Sequence, residues 1–318
     1  MKKGKIVAFV VAIVLIIVGG ILLAMGLSFA EDGTRESMLI TREVDITGHF
    51  DSIQITTDIS DVKFVPYNGT ADPRVILSES ESYSHTVMVE EGTLKIEAAD
   101  NREWSDYIGV FGINGENPEI TLYLPLEEYK SILITTDTGD MYLPQLMSGK
   151  DTVLRSNTGD IRCENASCET MDCMSSTGDI MVTGIEALEI RLTATTGDIT
   201  LTNGEADDIH LKNTTGEKEL ENVVCERLTC ESKTGDVELE WVKAKKYLQI
   251  FTTTGSVGLE SCQAGQVNIE TDTGDVEGAF LTPMRFQVFS DTGDIRVPQG
   301  MAGGECRIET DSGDIKFE

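Results

Sequence analysis

Apolar residues fall in short alternating runs along most of the chain, and beyond residue 135 those runs keep step with a recurring tripeptide. It reads Thr138-Gly139-Asp140, Thr158-Gly159-Asp160, Thr177-Gly178-Asp179, Thr196-Gly197-Asp198 and Thr215-Gly216-Glu217. It continues as Thr234-Gly235-Asp236, Thr254-Gly255-Ser256, Thr273-Gly274-Asp275, Thr292-Gly293-Asp294 and Ser312-Gly313-Asp314. Successive glycines are 19 or 20 residues apart, and a fixed period of this size marks a stacked repeat. Five residues before each Gly stands an apolar residue, from Ile134 and Leu154 to Val288 and Ile308. Two and four residues after it stand others, such as Ile161 with Cys163, Ile199 with Leu201, and Ile295 with Val297. A spacing of two is the strand period. A column of small residues (Ser148, Cys168, Ala187, Ala206) nine places after the Gly suits a tight corner.

The pattern predicts an all-β protein: a single-stranded β-solenoid of ten rungs, each 19–20 residues long, over 135–318. Rung one carries Gly139 and rung ten Gly313. The Gly provides the turn, and the Asp bonds its backbone. Segment 46–134 reads as an irregular β section capping the rod. Within it Ile53 to Val62 looks like a degenerate rung with Ser60 in the Gly place. Further strands are expected at Val62–Val65, Arg74–Leu77, Thr86–Val89, Leu94–Glu97 and Ile120–Leu124, with an aromatic loop between the last two. Rung five breaks the pattern, since Lys218 occupies an inward column and Glu217 replaces Asp, so distortion is expected there. The last strand ends at Glu318 without a polar cap, which predicts an open strand edge suited to self-association.

The N-terminus changes the picture of location. Residues 1–5 hold Lys2, Lys3 and Lys5, and the 24 residues from Ile6 to Phe29 carry no charge. Such a run is long enough to cross a bilayer as a helix, and the basic flank places 1–5 in the cytoplasm. The expected organisation is a tail (1–5), a transmembrane signal anchor (6–29), a tether (30–45), the cap (46–134) and the extracytoplasmic solenoid (135–318). Ser28-Phe29-Ala30 resembles a cleavage site, but the apolar run is longer than a signal peptide needs. With 25 Lys+Arg and 55 Asp+Glu, the net charge is −30, which argues against nucleic acid as a partner.

The basic start and long apolar run, the stretch Ile120-Thr121-Leu122-Tyr123-Leu124-Pro125 and the iterated Thr-Gly-Asp-Ile together resemble the bacterial "putative adhesin" family of β-strand-repeat domains. The likeness covers about residues 45–318. It implies an envelope protein, with some members tied to cell-envelope stress, and it implies no catalytic residues.

The candidate chemistries are few. Asp140, Asp160, Asp179, Asp198, Asp236, Asp275, Asp294 and Asp314 form one acidic column. Clustered oxygen donors suit Ca²⁺, although the motif departs from the calcium-binding nonapeptide, and a row of solvated turn carboxylates is the simpler reading. Cationic peptides are a second class of ligand for such a column. A carbohydrate-active enzyme on a β-helix is the reading from another class. It needs a carboxylate pair in a cleft, which uniform rungs do not build. His49, His85 and His210 are scattered, and no nucleophile motif or Cys-x-x-Cys pair is present, so no cofactor is expected. The seven Cys fall in apolar columns or at other core places and read as buried free thiols. Strand parity turns the Thr of each tripeptide inward, against an ice-binding row. The sequence thus describes a non-catalytic, membrane-anchored module that works by interaction with an envelope or surface partner.

Overall fold

The computed structural model describes residues 39–69, 71–80, 82–100, 117–300 and 302–318. The tail and anchor, and the aromatic loop over 101–116, lie outside the described residues. Among the described residues no helix is long and apolar enough to cross a membrane. Their regular structure is β throughout, in one connected sheet of 26 strands.

Each rung places one strand on a first face and, after the Gly corner, another on a second face, as Thr170–Thr177 and Ile180–Glu186 do in rung three. Like residues pair parallel and in register between rungs. Leu154, Cys173, Leu192 and Leu211 are successive partners on the first face, and Ile161, Ile180, Ile199 and Lys218 on the second. Both columns are buried, so the rod's interior is a continuous apolar core that no single rung could enclose. At about 4.8 Å per step the stack runs on the order of 50 Å.

The corner is held by three contacts that repeat with the period. Each Gly stacks directly on the carbonyl of the Gly one rung before, so that a Cβ there would lie under 3.0 Å from backbone oxygen. The small residue three before the Gly donates back along the rod, as Ser175 Oγ does to Gly159 O at 3.1 Å. The Asp after the Gly accepts the amide of its equivalent one rung on, as Asp160 Oδ1 does from Asp179 N at 2.8 Å. The Thr row is a correction. Thr158, Thr177, Thr196 and Thr215 are exposed, because two consecutive residues point outward as the chain rounds the corner and the strand parity ends there.

Both ends are interlocked. At the N-terminal end Ser52–Thr57 lies between Tyr129–Thr138 and Thr93–Asp100, and Asp61–Tyr67 lies between Met141–Leu143 and Glu119–Pro125. This is the degenerate rung, and Gly139 stacks on the Ser60 carbonyl as on a Gly. Antiparallel strands Ile40–Asp45, Arg74–Glu79 and Tyr83–Glu90 close that end, so part of the expected tether is sheet.

At the C-terminal end the spatial order of rungs is eight, ten, nine. Gly304–Ser312 sits between Gln266–Thr273 and Met284–Thr292, and Ile315–Phe317 sits between Val276–Phe280 and Ile295–Arg296. The expectation that the chain's last strand is the open edge is therefore corrected: rung nine forms the edge. Rung ten matches rung eight better. Gly278 leaves a gap in the inward column, and Phe317 fills it, stacked on Phe280 at 5.3 Å and packed on Phe286 at 5.2 Å. Displaced to the end, Ile295 is 43% exposed and Val288 and Val297 are only partly buried, although all three occupy inward columns.

Rung five is regular rather than distorted. Lys218–Glu221 pairs in register on both sides, and Lys218 is fully buried. Its Nζ donates to Asn213 Oδ1, the one amide side chain in the small column, and that oxygen also accepts from Ser232 Oγ at 2.9 Å.

The Gly stacking gives a direct test. Gly178 has φ +142° and abuts the Gly159 carbonyl, whereas nothing lies within 4 Å of a Cβ at Gly300. Gly178→Ala should lower the unfolding free energy by more than about 2 kcal/mol in urea titration, and Gly300→Ala should change it by less than about 0.5 kcal/mol.

Candidate functional site

Three groupings of polar side chains stand out from the regular stack: the corner Asp column, an acidic sheet surface beside it, and a buried network at the N-terminal end.

The Asp column is one hydrogen-bonded ladder. Asp61 Oδ1 accepts from Asp140 N at 2.9 Å, and Asp140, Asp160, Asp179 and Asp198 continue it to Glu217 N. Asp236 serves Ser256 N, Asp275 serves Asp314 N, and Asp314 serves Asp294 N, in the swapped spatial order. The ladder bond is missing where Glu217 and Ser256 interrupt the Asp column. A charge-assisted bond to the backbone is a structural role for each of these carboxylates. Among the described residues no group of three or more His, Cys, Asp or Glu converges as a metal cluster.

The surface next to the ladder is asymmetric in charge. On the first face and its flanking corner, cations and anions alternate and pair, as in Arg155–Asp172, Lys212–Glu231 and Arg227–Asp208. On the second face of rungs five to eight, every charged outward residue is acidic. Glu219, Glu238 and Glu277 follow one another in one column with Gly258 between the last two, and Glu221, Glu240 and Glu260 form the next. None of the six is in an ion pair among the described residues. The Glu238 carboxylate leans across Gly258, into the space a side chain there would take. Burial, followed by the charges of Asp236, Glu277, Glu217 and Glu219, raises the Glu238 carboxyl above its ordinary value. Like charges in register repel, and the core columns beneath hold them in place.

The buried network was not visible in the sequence. Ser60 Oγ lies 2.9 Å from His85 Nε2, His85 Nδ1 lies 3.2 Å from Glu79 Oε2, and Arg42 Nε donates to Glu79 Oε1 at 2.6 Å. Arg42 also donates to the His85 carbonyl at 2.6 Å. The connectivity is that of a nucleophile, base and acid relay. Yet Ser60 is fully buried in the Gly column with its carbonyl under Gly139, and its amide is taken by Thr57 Oγ1. In this arrangement the relay is an internal clamp joining strands Ile40–Asp45, Arg74–Glu79 and Tyr83–Glu90 to the degenerate rung. Residues 42, 60, 79 and 85 share no spacing that sequence reading could use.

The other candidates stand where their columns put them. All seven Cys are free and buried, with burial raising their thiols to about 11 at Cys168 and Cys262. A groove of about 330 Å³ is an open corner recess lined by residues such as Glu128, Ser167, Glu169 and Leu188.

The family model described as Toastrack DUF4097 matches residues 50–247 and 205–318. No curated protein matches the chain. Among solved structures it is similar to a "putative adhesin" from Parabacteroides distasonis ATCC 8503, at 13% identity and TM-score 0.49, covering 88% of this chain and 97% of that one. It is also similar to a "putative adhesin" from Parabacteroides merdae ATCC 43184, at 10% identity and TM-score 0.47, covering 88% and 96%. A "putative lipid binding protein" from Parabacteroides distasonis ATCC 8503 aligns at 16% identity and TM-score 0.43, covering 88% and 96%.

The buried His85–Glu79 pair and the buried Lys218 give pH tests. Burial lowers the His85 pKa from 6.5 against the opposing pull of Glu79. Burial raises Glu79, but its bonds to Arg42 and His85 outweigh this, and its net pKa is lowered from 4.5. The unfolded chain therefore takes up these protons first, so stability is lost as pH falls below about 6.5 through the folded value. Melting temperature should drop between pH 7.5 and 5.5, and His85→Gln should flatten that slope. Burial lowers Lys218 from 10.5 to about 8, so its charged form weighs on the fold most at pH 8 and below. Lys218→Val, matching Val237 one rung on, should raise the unfolding free energy at pH 7 by about 1–3 kcal/mol. That advantage should shrink as pH rises from about 8 to 10.5.

Proposed function

The chain belongs to the Toastrack DUF4097 family, and on that premise we propose that it is a non-catalytic interaction module, displayed outside a membrane and presenting an acidic sheet surface to a cationic ligand. The uncharged run 6–29 and its basic flank support an anchored, outward-facing rod. The observation that carries the ligand class is the second face of rungs five to eight. There Glu219, Glu221, Glu238, Glu240, Glu260 and Glu277 project from one rigid sheet, none of them in an ion pair among the described residues. Their column meets a cation only at Lys316, next to Glu277, which is paired with Asp314, while cations and anions pair across the first face. A rigid row of like charges at strand spacing attracts an extended polycation more strongly than separate surface acids would. Catalysis on a β-helix finds less support, because the groove at the corner is open and the relay at Ser60 is buried.

A basic peptide such as decalysine is the probe. The full chain in detergent should bind it, and the dissociation constant should rise by roughly tenfold or more between 50 and 300 mM NaCl. The variant Glu219→Gln/Glu238→Gln/Glu277→Gln should weaken binding by at least about tenfold while keeping the fold. Binding that ignores salt, or that survives the triple variant, would reject the cationic-ligand reading. Calcium provides the second arm: a larger rise in melting temperature with Ca²⁺ than with Mg²⁺ at equal ionic strength would move the reading to divalent cation capture.

A further inference from the structure

We propose that rung nine is a self-recognition edge, through which two copies of this chain join tip to tip about a two-fold axis passing close to Val288.

The two ends of the rod are finished differently. Antiparallel strands fold over the N-terminal end, with Ile40–Asp45 and Tyr83–Glu90 as its edges, whereas the other end stops at a plain parallel rung whose strand Met284–Thr292 has a partner on one side only among the described residues. Its neighbour on the second face, Ile295–Arg296, is likewise paired on one side. This end leaves Phe289 53% and Ile295 43% exposed, with Phe286, Val288 and Val297 only partly covered. A row of unpaired backbone groups above apolar side chains is a template for a further strand.

The charges on the edge select a second copy as the occupant. Arg285 and Asp291 both face outward and stand three residues to either side of Val288. A two-fold axis at Val288 pairs the strand antiparallel with itself. It sets Arg285 against Asp291 of the other copy, twice, and Gln287 against Phe289. The even register keeps inward residues inward, so Val288 meets Val288 and Phe286 meets Ser290. Neither Arg285 nor Asp291 is in an ion pair among the described residues. The other rungs show that this is no general feature of the repeat. At the same two positions they carry like charges, as Arg227 with Lys233 and Glu305 with Asp311 do, or at most one charge. Opposite charges are found only on the strand that the swap of rungs nine and ten exposes. The resulting interface is isologous, so it closes at two copies instead of growing into a fibre. The two N-terminal ends then stand at opposite extremities of a collinear pair.

Cysteine cross-linking and charge swapping test this on the full chain in detergent. Val288→Cys places two thiols across the axis, within disulfide reach, and should give a covalent dimer under mild oxidation. Arg285→Cys should not, because its counterpart lies six positions away along the paired strand. In sedimentation, Arg285→Glu should weaken self-association by at least about tenfold, and Arg285→Glu/Asp291→Arg should return it to within about threefold of the parent. Equal cross-linking at position 285, no cross-link at 288, or a charge swap that fails to restore association in a folded double variant would each overturn the proposal. A chain that stays monomeric at all concentrations would overturn it too, and would leave the edge to a strand of different origin.

Discussion

The structure depends on one close approach: the Gly backbone of each rung resting on the Gly carbonyl of the rung before. That contact brings the corners near enough for the Asp to reach the next amide and for the small hydroxyl residue to reach back to the carbonyl behind it. Three positions in each rung are therefore tied to a single geometric need. Where the Gly is replaced, at Ser60, its stacked carbonyl still serves, and the added Oγ is given to a buried His. The parallel register of the two faces, and with it the stacking of Ile on Ile and Leu on Leu, follows from corners that cannot slide.

The same regularity explains the surface. A repeat whose rungs are all 19 or 20 residues long has no room for the long loops that would wall a cleft, so chemistry is displayed rather than enclosed. What varies most between rungs is the outward side chain. The chain uses that freedom unevenly, balancing charges on one face and accumulating carboxylates on the other. Within the core it tolerates one cation, Lys218, because rung five alone places an amide in the small column to meet it.

Much of this was legible in the sequence. The period fixed the corners, the columns named the interior residues, and the degenerate rung could be located down to Ser60. What escaped had physical reasons. Strand parity was carried through the corner to the Thr row, yet two successive residues face outward where the backbone turns. The partner of Lys218 was within reach of inspection, since Asn213 is the only amide in its column and lies in the same rung. The order eight, ten, nine was not, because nothing local distinguishes a rung stacked on its predecessor from one stacked two places away. The gap at Gly278 and the aromatic Phe317 were its only trace. The His85 cluster draws on three separate strands and the corner residue Ser60, and no spacing rule joins them.

The inserted rung has a consequence for how the molecule is made. A simple solenoid can be laid down coil by coil as the chain emerges, each new coil docking on the last. Here rung nine has no seat when it appears, since the surface it needs is supplied by residues 304–317, which come later. The tip must wait, open, until the final strands slide into the gap. A chain lacking those residues would keep its tip unmade however well the rest had formed.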